Sequence, residues 1–177
     1  VVPGDVTSRT SLLEAFRGTD GVFHVAGWYE VGSDHPGQGW AVNVQGTRNT
    51  LDAAHEAEVP RVVYTSTLAV NSDTHGEVRD ETYTYPGEHL SVYDHTKAQA
   101  HRIAEQYADR GLDVVTVMPG GIYGPGDTSQ VGELIRRTAR GHRVPAPAGL
   151  RLCMAHVDDI AHGHVLAMER GRAGDAY

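Results

Sequence analysis

Three short apolar runs, separated by stretches with helical spacing, restrict this chain to few architectures. The runs are Val22-Phe23-His24-Val25-Ala26, Arg61 to Thr67 and Leu112 to Met118. The first is mostly apolar and the third is rich in valine with little alternation, as strands buried on both faces are. A long helix is expected from Gly39 to about Ala57, with Trp40, Val42, Val44, Thr47, Leu51 and Ala54 on or near its buried side. A second, Leu90 to Arg110, carries Val92, Ala98, Ala100, Ile103, Ala104, Tyr107 and Ala108 and meets no Gly or Pro before Gly111. Shorter helices are expected over Thr7–Arg17 with Ser8 or Thr10 as cap, from Asp127, Thr128 or Ser129 through Arg140, and from Val157 or Asp158 to Arg170. Gly27, Gly32, Gly37 and Gly39 mark a loop before the first long helix, and Pro145 and Pro147 make 141–149 irregular. Leu150 to Ala155 reads as extended, and Ala176-Tyr177 as the start of a further strand. Strands alternating with helices of ten or more residues imply an α/β fold with a parallel, doubly wound sheet. Right-handed crossovers then place helices on both faces.

Ligands of such sheets sit beyond the carboxyl ends of the strands. Ala26-Gly27, Ser66-Thr67 and Pro119-Gly120-Gly121 collect there. Tyr93 and Lys97, four residues apart, share one helical face. A phenol ordinarily titrates near ~10 and a nearby ammonium favours its ionised form, so the pair suits general acid–base work. The same spacing also fits a surface tyrosine beside a solvated lysine. Thr67 is equally an ordinary strand residue, Asp5 a turn or cap residue, Asn43 a helix brace, and Gly120 and Gly121 strand breakers. Asp158 and Asp159 suit a helix N-terminus through the dipole.

The 177 residues are one domain's worth of chain, with 40% hydrophobic and 21% charged residues. A net charge of -8 and the lack of a Lys/Arg run argue against nucleic acid and anionic membrane as partners. The single Cys153 excludes an internal disulfide, no run reaches membrane-spanning length, and Val1-Val2-Pro3-Gly4-Asp5 has no signal-like character. A cytoplasmic protein is expected. Eleven histidines are scattered, and His156, His162 and His164 do not share one helical face, so no metal site is expected.

Taken in order, the motifs resemble the extended short-chain dehydrogenase/reductase (NAD-dependent epimerase/dehydratase) family, most closely its dihydroflavonol-4-reductase-like branch. Gly4-Asp5-Val6-Thr7 resembles the family's adenine-side turn. His24-Val25-Ala26-Gly27 resembles its fourth-strand motif, and Asn43-Val44-Gln45-Gly46-Thr47 its Asn-Val-x-Gly-Thr helix. Tyr64-Thr65-Ser66-Thr67 is similar to the strand that carries the catalytic hydroxyl. Met118 to Asp127 is similar to the nicotinamide-side loop, and His156-Val157-Asp158-Asp159 to a late His-Val-Asp-Asp motif.

The resemblance implies a Rossmann-like domain and an NAD(P)H-dependent oxidoreductase acting on a small-molecule ketone or aldehyde. It implies Thr67, Tyr93 and Lys97 as catalytic residues. Asp5, Val6, Val25, Ala26, Gly27, Asn43, Tyr93, Lys97, Pro119, Gly120 and Ile122 would bind NADP or NAD. Residues 120–156 would contribute to the substrate-side lobe, and a homodimer would form through the two long helices. The family's first strand and Gly-x-x-Gly-x-x-Gly loop, its second strand and its C-terminal part have no counterpart here, so 1–177 reads as the middle of a larger protein that lacks the first βαβ unit. A nucleotide-sugar 4-epimerase and a non-catalytic fragment without cofactor are the alternatives. Leu68-Ala69 after Thr67 disfavours a dehydratase. Trp28, Tyr29, Tyr83 and Tyr85 are candidates for an aromatic-ketone pocket or for packing.

Overall fold

The computed structural model describes residues 1–30, 36–145, 149 and 151–177. The expectations that fall on Gly32, Pro147 and Leu150 lie outside these residues. In order the chain forms α1 (Arg9–Phe16), β1 (Val22–His24), α2 (Pro36–Gly39), a π-helical segment (Trp40–Gln45), α3 (Gly46–Glu56), β2 (Val62–Thr65), a 3-10 turn (Leu68–Asn71) and α4 (Val92–Asp109). There follow β3 (Val114–Val117), β4 (Gly121–Tyr123), α5 (Gln130–Ala139), β5 (Met154–His156) and α6 (Val157–Arg170).

β1, β2 and β3 make a parallel sheet in that order, with Val22 opposite Val62 and Val62 opposite Val114. Residues of alternate parity then face opposite sides. Val22, Val62, Tyr64 and Val114 meet Leu51 and Ala54 of α3 and Ala100, Ile103, Ala104 and Tyr107 of α4. Val63, Val115 and Val117 meet Ala167 of α6 on the other side. Both faces are thus covered by helices, as the valine-rich runs require. Arg61 ties the approach to β3 to the end of α6. Its guanidinium takes both carboxylate oxygens of Asp113 at 3.0 and 2.8 Å and the Met168 carbonyl at 3.0 Å. Beyond β3, Thr116 bridges in parallel to Ala176, so the expected last strand begins where the sequence placed it.

Two features depart from the sequence reading. The long helix begins at Pro36 and contains the π-helical turn, rather than starting near Gly39 as a regular helix. Pro119-Gly120-Gly121 stops β3, but Gly121-Ile122-Tyr123 then re-enters as β4 and pairs in parallel with β5. The glycines are what permit this, because a Cβ on Gly120 would collide with the Cys153 carbonyl. Ser129, among the expected caps, starts α5 by accepting the Gly132 N–H at 3.3 Å. Among the described residues no helix is long and apolar enough to cross a membrane.

Candidate active site

The first turn of α4 sets the geometry. Ser91 caps it by accepting the Asp94 N–H at 3.0 Å, and Asp94 places a carboxylate at the positive end of the helix. Starting there, the helix puts Tyr93 in its first turn and Lys97 one turn later. Both lie at the carboxyl end of β2.

Lys97 is the only lysine of the chain and is 6% exposed. Its Nζ donates to the Thr65 carbonyl at 2.8 Å and stands 4.9 Å from the centre of the Tyr64 ring. The carbonyl is free to accept for a topological reason. The Val62 and Ser66 N–H groups bond Asp113 and Val117 on the β3 side, so alternation turns Thr65 toward β1. The β1 pairing ends at His24 opposite Tyr64, and Lys97 takes the vacant acceptor. Burial pushes the Lys97 ammonium down to about 8.

Burial raises the Tyr93 phenol above its ordinary value, while the neighbouring Thr67 hydroxyl acts in the opposite direction. Tyr29 and Asp94 add to the rise. The expectation that Lys97 holds this phenol down is therefore corrected: desolvation dominates at Tyr93. Thr67 also accepts the Ala69 N–H at 3.1 Å, which caps the 3-10 turn and holds its hydroxyl beside the phenol. The structure thus gathers Thr67, Tyr93 and Lys97 at one strand end.

The remaining candidates divide into braces and exposed rim. Asn43 is 2% exposed and sits in the π-helical turn. Its Oδ1 accepts the Trp28 N–H at 2.7 Å, and its Nδ2 donates to the Trp28 carbonyl at 3.1 Å and to Thr96 Oγ1 at 2.9 Å. Both of its N–H groups are engaged, so it fixes the loop after β1 against α4. Gly46 lets Val6 approach, since an added Cβ would lie 3.0 Å from Val6 Cγ2. Thr47 pairs with His24 Nε2 at 3.0 Å, and His24 stacks on Tyr64 with ring centres 5.5 Å apart. Burial, with Lys97 nearby, pushes His24 down to about 4. Asp5 is exposed and its Oδ1 accepts from the Thr7 N–H and hydroxyl, both at 2.8 Å, which lowers its carboxyl. Val25, Ala26 and Gly27 are exposed after β1, while Pro119 is buried and its carbonyl accepts the Leu68 N–H at 2.9 Å. Ile122 is exposed on β4, and Gly120 is half-buried.

Of the four aromatic candidates, Tyr29 reaches the site. It meets Tyr93 edge-on with ring centres 4.8 Å apart. Trp28 is buried, where a Cβ on Gly39 would meet its ring at 3.0 Å. Tyr83 donates to the Asp73 carbonyl, and Tyr85 packs on His89. His156 starts α6 by accepting the Asp158 N–H at 3.3 Å, so the His-Val-Asp-Asp stretch works here as a helix start. Among the described residues no group of three or more His, Cys, Asp or Glu is placed to hold a metal ion.

Sequence reasoning missed His101 and Thr96, gave Ser66 no role beyond its place at the strand end, and weighed His164 only as a metal ligand. His101 was reachable, because it follows Lys97 by four residues and continues the Tyr93–Lys97 stripe. Its partner Ser66 is 35 residues away, and that pairing has no local signal.

Comparison with known proteins bears on this geometry. A model of the NAD dependent epimerase/dehydratase family matches residues 1–177. A Synechocystis sp. protein, provisionally named a dihydroflavonol 4-reductase, is 36% identical over 99% of this chain and 53% of its own length. The 3beta-hydroxysteroid-dehydrogenase/decarboxylase isoform 1 of Arabidopsis thaliana is 33% identical over 94% of this chain and 39% of its own. Among solved structures, the dTDP-glucose 4,6-dehydratase DesIV of Streptomyces venezuelae, crystallised with NAD and TYD bound, superposes with a TM-score of 0.85. It is 29% identical and is matched over 98% of this chain and 56% of its own. The chain therefore spans about half the length, or less, of the relatives it matches. The whole-length family match, on a doubly wound sheet whose second strand ends at Thr67, Tyr93 and Lys97, makes the chain a member of the NAD dependent epimerase/dehydratase family.

Proposed function

We propose that this chain carries the catalytic centre of an NAD(P)H-dependent oxidoreductase that reduces a ketone or aldehyde, as a dihydroflavonol reductase does. One observation carries the reading. The only lysine of the chain is buried at the end of β2, one helical turn below a tyrosine that has a threonine hydroxyl beside it.

The residues fit a nicotinamide dinucleotide. Lys97 uses one of its three N–H groups on Thr65 among the described residues, which leaves donors for ribose hydroxyls. Val25, Ala26 and Gly27 are exposed in the segment after β1. Asp5, Val6, Pro119, Gly120 and Ile122 complete the candidate contacts, with Asn43 holding the β1 loop in place. A bound nicotinamide supplies the hydride. Everything else falls to the chain. With its pKa raised, Tyr93 keeps its proton at neutral pH and gives it to the carbonyl oxygen of the substrate. Thr67 donates a second hydrogen bond to that oxygen and orients it. Lys97, mostly charged below pH 8, holds the nicotinamide ribose from its place on the Thr65 carbonyl. In this reading 120–156 contribute to the substrate-side lobe, and a homodimer is proposed through the two long helices.

The test is NADPH- and NADH-dependent reduction of aromatic ketones and aldehydes, with Tyr93→Phe run alongside. Loss of about 10²–10⁴ in kcat with unchanged cofactor binding is expected. Near-normal turnover would overturn the acid role. A parent chain that binds neither dinucleotide at millimolar concentration would overturn the reading for this chain. Epimerisation of a UDP-sugar without net NAD(P)H change would replace it by the epimerase alternative.

A further inference from the structure

The strand end that carries Thr67 is gripped from both faces of the sheet by histidines. On the α4 side, Ser66 is 4% exposed and its hydroxyl lies 2.8 Å from His101 Nδ1. His101 Nε2 lies 3.5 Å from Glu105 Oε1, and Glu105 reaches solvent. Ser66 thus occupies the Nδ1 side of the ring and the Glu105 carboxylate lies beyond its Nε2 side. On the α6 side, Thr65 Oγ1 lies 2.8 Å from His164 Nε2, and His164 Nδ1 lies 2.8 Å from the Ile160 carbonyl. A carbonyl can only accept, so Nδ1 carries the proton and Thr65 donates to Nε2. The outer partner fixes the His164 tautomer, and each imidazole bonds one strand hydroxyl.

We propose that His101 and His164 are positioning residues that clamp Thr65 and Ser66, and through them fix the Lys97 ammonium and the Thr67 hydroxyl. The proposal rests on the catalytic reading above for its consequence in turnover. Its physical basis is the end of the β1 pairing at His24. Past that point the β2 backbone is held on the β3 side, by Ser66 N–H to Val117 at 2.8 Å, while its β1 side is open. The Thr65 carbonyl must stay put to hold Lys97 out of water. Two side-chain bonds at successive residues, on opposite faces, remove the twist and tilt that the missing ladder would have removed. A displacement of 1 Å at such a site is enough to lower a rate by ~10²-fold.

Because Lys97 is the only lysine, selective isotope labelling of lysine gives a single side-chain amine signal whose pH titration can be followed by NMR without cofactor. The parent's own midpoint, which burial should hold below the ordinary lysine value, is the reference. Thr65→Val and Ser66→Ala remove one clamp bond each with little change of shape, and His101→Leu and His164→Leu remove the imidazoles. Each variant should move the Lys97 midpoint upward by about one pH unit, toward the ordinary ~10.4, as water reaches the amine. Leu51→Ala, a core truncation outside the clamp, should lower thermal stability and leave the midpoint where it is. Where turnover is measurable, the clamp variants should lower kcat about tenfold with little change in KM. Unchanged midpoints in Thr65→Val and Ser66→Ala would overturn the proposal. So would an equal shift in Leu51→Ala, which would mark general loosening. An inactive parent sinks the oxidoreductase reading alone, since the clamp is judged on the titration.

Discussion

Replacing Lys97 by Met tests the energetics of the buried amine directly. A lysine that titrates near 8 in the fold and near 10.5 in the unfolded chain disfavours folding at neutral pH by about 3 kcal/mol, at 1.36 kcal/mol per pH unit. The sign follows from proton counting. Between pH 8 and 10.5 the unfolded chain binds more protons at this group, so stability rises with pH across that window. Lys97→Met removes this term and leaves the Thr65 carbonyl without its 2.8 Å donor, at a cost of about 1–3 kcal/mol. The two effects nearly offset at pH 7, where the variant should match the parent or exceed it by up to about 2 kcal/mol. Raising the pH from 7.5 to 9.5 should then favour the parent over the variant by about 2 kcal/mol more, because only the parent gains. Urea unfolding of both proteins at a series of pH values measures the difference, and titrations common to both cancel. A pH-independent difference would show that Lys97 is solvated and would remove the basis for its assigned role.

Other perturbations reach different parts of the frame. His24, pushed down to about 4 by burial, binds no proton in the fold where the unfolded chain does, so stability should fall by about 3 kcal/mol as pH drops from 6.5 to 4. His24→Asn should flatten that acid limb in thermal melts taken across the range. Gly46→Ala places a Cβ 3.0 Å from Val6 Cγ2, so overpacking of about 1–3 kcal/mol should outweigh the ~1 kcal/mol of helix propensity. Hydrogen exchange at Val6 and Thr7 should quicken in that variant. Arg61→Met loses the paired bonds to Asp113 and the bond to Met168, and should lower the urea midpoint by an amount equal to about 1–2 kcal/mol.

The sheet was legible because its strands are short valine-rich runs whose neighbours along the chain are helices. The candidate triad was legible because Tyr93 and Lys97 lie one turn apart on a single helix. β4 was hidden by its composition: Gly121 follows Gly120 and Pro119, which read as a strand stop, and its partner β5 begins 33 residues later (154 minus 121). The π-helical turn around Asn43 was not legible, and the close approaches of Trp28 to Gly39 and Val6 to Gly46 that flank it are contacts residue spacing does not encode. The sense of the Tyr93 shift was misread for a related reason. An ammonium nearby in sequence suggested a lowered phenol, whereas burial by the assembled fold decides the direction.

The grip of His164 on Thr65 spans 99 residues, and the bridge from Thr116 to Ala176 joins β3 to the last residues of the sequence. In the time order of folding, contacts of this separation make the candidate strand end a late feature. Local pieces such as α4 can form early, but contacts of this separation wait for the loop-closure entropy to be overcome. A nascent chain that has not yet extruded α6 would hold Tyr93 and Lys97 on a formed helix while Thr65 still lacked its His164 partner. Completion of the α6 contact, and not of the helix that bears the tyrosine, then sets when the site acquires its final geometry.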